Sequence, residues 1–279
     1  MRKLFSLCAV ATVIAVIFYN CNKASTTNTT ASPTDLTQDE KALVKSAGFN
    51  SNWAEKTPDG NYLIEGDILL TKAQLTTMSG VAPTNEYIIA NEEHYRTTNL
   101  VNTGSGVRVI TVRLGSGFPS YYSAGLDQAL ARYNALGLNI QFQRVTSGGE
   151  IVISGANLGR SFGGCILGQS AGFPTGGNPS PGFTLSTSRC ATQYLSNANL
   201  VDEVVAHEMG HCIGFRHTDY MNRSSCGQNS NEGDAGVGAI HIDGTPTTVN
   251  GSYNSWMMAC TNGSPLFSAD DATALNAVY

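Results

Sequence analysis

From His207 to His217 the chain reads His-Glu-Met-Gly-His-Cys-Ile-Gly-Phe-Arg-His, and few backbone arrangements let these residues act together. Residues four apart share one face of a helix, so His207 and His211 present two imidazoles to one point, with Glu208 at the edge of that face. Gly214 is the residue type that takes up a left-handed turn and ends a helix. The reversed chain then brings His217 back as a third nitrogen. Three protein ligands and an open position are the pattern of a catalytic zinc site, whereas a structural site is closed by four. The sequence therefore predicts one Zn²⁺ per chain on His207, His211 and His217, with Glu208 as general base. Three of the five histidines in the chain fall within this motif.

The rest of the composition suits such a chain. Only 13% of residues are charged, against roughly 25% in an average protein; polarity comes instead from Ser, Thr, Asn and 30 glycines. A net charge of -5 argues against a nucleic-acid partner, which calls for a concentrated basic face. With 41% apolar residues the chain is not wholly disordered.

The N-terminus reads as an address. Met1-Arg2-Lys3 precedes an apolar run from Leu4 to Tyr19, short for a membrane span and right for a secretory signal core. Residues 1–20 are predicted to be a signal peptide and 21–37 a tether rich in Ser, Thr, Asn and Ala. Cys21 resembles the acylated first residue of a lipoprotein, although Tyr19 and Asn20 are bulkier than the residues that usually precede it. Ordinary signal cleavage with an incidental cysteine is the alternative. Either way the chain is expected to be exported, to a bacterial cell envelope or the extracellular space, with membrane attachment through an acylated Cys21 in the first case. Export permits disulfides. Cys165 with Cys190, which bracket a Gly/Pro-rich loop, and Cys226 with Cys260 are the expected pairs, leaving Cys212 as a small buried hydrophobe.

Hydrophobic periodicity predicts a short helix over 39–46, a strand over 62–70, strands over 107–113, 138–145, 150–154 and 183–188, and a helix over 121–136. The stretch 163–182 reads as irregular, with an extended piece at 169–173. The motif helix is expected from Asn199, with Asp202 completing a capping box, to Ile213. Ser268 and Asp271 start a final helix.

The motif resembles that of the metzincin class of zinc proteases, which also has a methionine-containing turn beneath the metal; Met257 in Asn-Ser-Trp-Met-Met matches it. The segments HEMGHCIGFRHTDY, AIHIDGTP, NSWMMAC, YRTTNLV and AGFP are similar to the dual-action HEIGH metallopeptidases, with Met209 in place of the family's Ile. The resemblance implies an α+β fold: a twisted mixed sheet of about five strands with two long helices, then a loop-rich C-terminal part with the Met-turn and a last helix. It also implies an endopeptidase, most simply a monomer, acting on proteins or peptides that pair as an extended strand with the sheet edge near 169–173. Ile64-Glu65-Gly66-Asp67-Ile68 is similar to a stretch of astacin propeptides whose Asp blocks the zinc. Asp67 is thus a candidate latency ligand and 38–104 a pro-segment ahead of a catalytic domain at 105–279; an exposed turn aspartate is the competing reading, and a non-acylated Cys21 is a rival blocking ligand. Ala259 stands where astacins carry a zinc-side tyrosine, for which Tyr220 is a conceivable substitute. His94 and His241 read as structural. A non-catalytic surface-binding lipoprotein and a zinc hydrolase of small molecules are the alternative functions, and the intact Glu208 weighs against the first.

Overall fold

The computed structural model describes residues 35–80, 94–233, 238–247, 254–261, 263 and 266–279. The signal peptide, nearly all of the tether, and Cys21 lie outside the described residues. The fold is α+β. Its described elements are α1 (Gln38–Ser46), β1 (Ala54–Lys56), β2 (Tyr62–Ile64), β3 (Ile68–Leu70), α2 (Lys72–Ser79), β4 (Tyr95–Arg96), β5 (Arg108–Leu114), α3 (Ser120–Asn134), β6 (Ile140–Arg144), β7 (Ile151–Ala156), β8 (Arg160–Ser161), β9 (Gly164–Cys165), β10 (Gly168–Ser170), β11 (Gly182–Ser186), α4 (Arg189–Tyr194), α5 (Ala198–Ile213), β12 (Ile240–His241) and α6 (Ala269–Val278).

Eight strands form one mixed sheet in the order β1-β2-β3-β10-β11-β7-β5-β6. Strands β5, β6, β7 and β11 run parallel and β10 is antiparallel to β11. These five come from residues beyond 104. The other three, β1 to β3, come from upstream, and β3 lies parallel on the outer edge of β10, with Ile68 opposite Ser170.

The stretch 62–70, expected as one strand, is a hairpin. Glu65 (φ 59°) and Gly66 (φ 99°) both take positive φ, and Asp67 N–H donates back to the Ile64 carbonyl, which reverses the chain over the three residues 65–67. Glycine tolerates this geometry; Glu65 is held there by its surroundings.

Under the sheet, α3 and α5 pack closely. Gly125 allows it, because a Cβ there would lie 2.7 Å from Val201. The main core joins Ile110, Val112, Leu126, Ile151, Leu185 and Val205 between sheet and helices. A second, smaller core (Val44, Phe49, Ile64, Ile68, Leu75, Phe173) lies beneath the upstream hairpin and α1.

The cap of α5 differs from expectation: Asn197 accepts from the N–H of Asn199 and Leu200, while Asp202 pairs with Arg132. The Ser268–Asp271 capping box of α6 forms as expected. So do both disulfides, Cys165–Cys190 and Cys226–Cys260, and Cys212 is a buried free thiol.

Candidate metal centre

Helix α5 places His207 and His211 one turn apart on the same face. Gly214 (φ 109°) then ends it: its N–H donates to His211 O and the Phe215 N–H to Gly210 O. A side chain at 214 would also meet Leu100 and the Asn99 carbonyl. After the turn the chain is gripped on both sides. Thr97 N–H donates to Gly214 O and Arg216 N–H to Tyr95 O, and Thr218 N–H donates to Met257 O (2.7 Å). Residues 94–101 are thus bound into the body around the motif, although they fall in the segment read as upstream of the catalytic domain. His94 is part of this, buried against Asp271 at 2.7 Å.

His217 arrives where expected. The Nε2 atoms of His207 and His211 are 3.1 Å apart, and Asp67 Oδ2 lies 2.8 Å from His217 Nε2, 3.4 Å from His207 Nε2 and 3.8 Å from His211 Nε2. Asp67 reaches this point because β3 docks on β10, where its own carbonyl accepts from Ser170 N–H at 2.7 Å. The candidate Asp67 is therefore among the three histidines and is not an exposed turn residue.

The opposite ring nitrogens are all committed. His207 Nδ1 donates to the Trp256 carbonyl (2.9 Å), His211 Nδ1 to the Phe215 carbonyl (2.9 Å), and His217 Nδ1 to Glu232 Oε1 (2.7 Å). Acceptors on Nδ1 place the proton of a neutral ring there, so each Nε2 faces inward as the site for a cation; against burial, the charges of Asp67 and Glu232 raise His217 well above the usual range. Burial pulls His211 down to about 4, which keeps its Nε2 free of a proton. Three imidazole nitrogens and a carboxylate oxygen, all within 4.8 Å of one another, with Asp67 Oδ1 buried and unpartnered, are a donor set that calls for a cation. Nitrogen and oxygen donors in this number suit zinc.

Glu208 stands beside the group, buried, with Oε2 unpartnered. Burial, then the charge of Asp67, pushes its carboxyl well above the usual range. Gly168 on β10 makes room for it, since a Cβ at that position would overlap Glu208 Oε1. Met257 is buried, with its sulfur against Gly210 of α5, and its neighbour Trp256 carries the carbonyl that orients His207. A cleft of about 520 Å³ runs over the site past Asp67, His207, Glu208, Gly168, Met258 and Ala259. Tyr220 is not in the donor group; it is buried against Tyr95 (4.9 Å) and beneath the Arg216 guanidinium. His241 bonds Thr245 at 2.9 Å.

Four residues with no role in the sequence reading, Glu65, Arg216, Glu232 and Arg223, form a charged group around His217. Glu65 pairs with the fully buried Arg216 and lies 3.6 Å from His217 Nδ1, and Glu232 pairs with Arg223. Burial raises Glu65 against the pull of Arg216, while His217 and Arg223 overcome burial to hold Glu232 at about 2. Glu65 was visible beside Asp67 in the hairpin motif; nothing in the spacing marked Glu232 or the arginines.

A helix-borne imidazole pair, a third imidazole returned by a glycine turn and a buried carboxylate alongside, in an α+β frame, are the makings of a metal-dependent hydrolase. Residues 62–279 match the family model of the dual-action HEIGH metallopeptidases, and the chain belongs to that family. Among solved structures it is similar to a crystal structure of myroilysin, with 17% identity over 70% of this chain and 93% of that one and a TM-score of 0.35. It is also similar to high choriolytic enzyme 1, a hatching-enzyme zinc protease from the medaka fish Oryzias latipes, with 19% identity over 64% of this chain and 92% of that one and a TM-score of 0.36. No curated protein matches it.

Proposed function

We propose that the chain is an exported zinc endopeptidase, secreted or anchored through an acylated Cys21, and held latent by its own upstream segment. The observation that carries the reading is the convergence of three imidazole Nε2 atoms beside a buried, unpartnered Glu208. His207, His211 and His217 hold the metal. Bound there, zinc supplies the Lewis acidity that lowers the pKa of water toward ~7 and polarises the scissile carbonyl.

Glu208 takes the proton of the attacking water and passes it to the leaving amine. Its buried, unpartnered Oε2 beside the three imidazoles is placed for both transfers. The edge of β10 offers backbone groups to an extended peptide in the cleft. In the latent chain Asp67 takes the open ligand position and β3 takes the edge. Because residues 94–101 are tied to the motif turn, we count them with the catalytic body and assign the inhibitory role to the hairpin that carries Asp67; the body works as a monomer on protein or peptide substrates.

The test is Glu208→Ala. Metal content near one per chain with loss of chelator-sensitive casein cleavage is expected; cleavage retained by that variant would overturn the assignment.

A further inference from the structure

We propose that Glu232 is the positioning residue of the third metal ligand, holding His217 by a charged hydrogen bond where the other two histidines have neutral ones. The inference rests on the reading of His207, His211 and His217 as the metal ligands.

Two of the three imidazoles are oriented by main-chain carbonyls, at Trp256 and Phe215. Only His217 has a carboxylate on its Nδ1, at 2.7 Å, and neither residue is accessible to solvent. A carboxylate behind an imidazole fixes ring and tautomer and makes the far nitrogen a stronger donor, more so where no water screens the charge. His217 also needs this hold most. It stands on an irregular segment after the helix has ended, whereas His207 and His211 are fixed by α5 itself.

Glu232 is equipped for the task. Its oxygen Oε1 accepts from both His217 and Arg223, so Arg223 supplies the counter-charge that lets a carboxylate stay ionised in the interior. Its backbone is pinned, with N–H on the Tyr220 carbonyl (2.9 Å) and C=O receiving Asn50 N–H (2.7 Å). The other charged groups at this side of the ring are Glu65 and Arg216, which pair with each other. Glu65 arrives on the upstream hairpin and sits farther from Nδ1, at 3.6 Å. Glu232 thus belongs to the body and not to the hairpin, although one of its two backbone hydrogen bonds comes from the upstream Asn50.

The measurement is zinc affinity of the full-length chain by competition with a chromophoric chelator, read together with the visible spectrum of the Co²⁺-loaded protein. Glu232→Gln keeps an acceptor for Nδ1 but removes the charge; Glu232→Ala removes both. Affinity is expected to fall ~10-fold in the first and ~100-fold in the second, the range for outer-shell partners, with a changed Co²⁺ spectrum.

Asp219→Asn is the control. Asp219 is also buried, but it holds Ser225 and Ala259 and does not touch a histidine; it is expected to lower the melting temperature and leave affinity unchanged. If Glu232→Ala does not fold, Glu232→Gln decides. Wild-type affinity in both folded variants, or a loss of thermal stability without a loss of affinity, overturns the proposal. A wild-type chain that binds no zinc overturns instead the assignment of the ligands.

Discussion

Asp67 Oδ2 lies 2.8 Å from His217 Nε2, although 150 residues separate them in sequence. The contact depends on a turn and a strand pairing: the positive φ of Glu65 and Gly66 reverses the hairpin, and β3 on β10 sets its depth. An intramolecular ligand placed this way competes at an effective concentration that no free peptide easily matches.

Replacing Asp67 by Ala should therefore raise the peptidase activity of the full-length chain by on the order of tenfold or more. The measurement is casein or peptide turnover with the mass of the chain followed in parallel, so that activity is recorded before any cleavage of the upstream segment. Unchanged basal activity in an intact, metal-loaded Asp67→Ala chain would count against the blocking role.

Glu65→Ala should destabilise the fold. It leaves the Arg216 guanidinium fully buried, over the rings of Phe49 and Tyr220, without its carboxylate. Removing one partner of a buried pair typically costs about 3–5 kcal/mol. Denaturant unfolding of the two chains checks this; a difference within experimental scatter contradicts it.

Acid should loosen the upstream segment through Glu40. Hydrogen bonds from Lys56 (2.5 Å), the Thr37 N–H and the Tyr62 hydroxyl hold its carboxyl at about 2, below the ordinary 4.5. A carboxyl depressed on folding adds stability that is fully present above pH ~4.5 and is lost as pH falls toward ~2. The acid limb of the stability profile should thus be shallower in Glu40→Gln than in the wild type, by thermal melts across that window. Identical limbs would remove Glu40 from the account.

Gly168→Ala should separate catalysis from metal binding. The new methyl group overlaps Glu208 Oε1, and the three atoms nearest to it all belong to Glu208, not to a histidine. Displacing a proton-transfer group by about 1 Å can cost on the order of 100-fold in rate. Turnover of a trimmed or otherwise active preparation should fall while metal content stays the same.

The motif helix, the glycine turn and the three histidines were legible because their geometry is local: spacing of four on a helix, then a residue that tolerates positive φ. The disulfides could be inferred from the loops they bracket, and the α6 cap from Ser268 and Asp271. Helix α5 is capped by Asn197 instead of Asn199, and Asp202, the expected capping partner, pairs with Arg132. The hairpin at 62–70 looked like one strand because Leu63, Ile64, Ile68, Leu69 and Leu70 keep an apolar pattern across the turn. Glu65–Arg216 and His217–Glu232 were not legible at all, since pairs that meet across 151 and 15 residues leave no period in the sequence.

Strand β10 is three residues long, and in the described chain its outer side is taken by β3. If β3 gives way, the rim left bare is too short to template a second copy of the sheet, since brief edges are one of the ways proteins avoid edge-to-edge aggregation. The same brevity limits how much main chain any visitor can zip onto that rim. On the proposed reading, selectivity among visitors would then come from side chains in the cleft, and unravelled, mobile stretches of a target would be favoured over its folded strands.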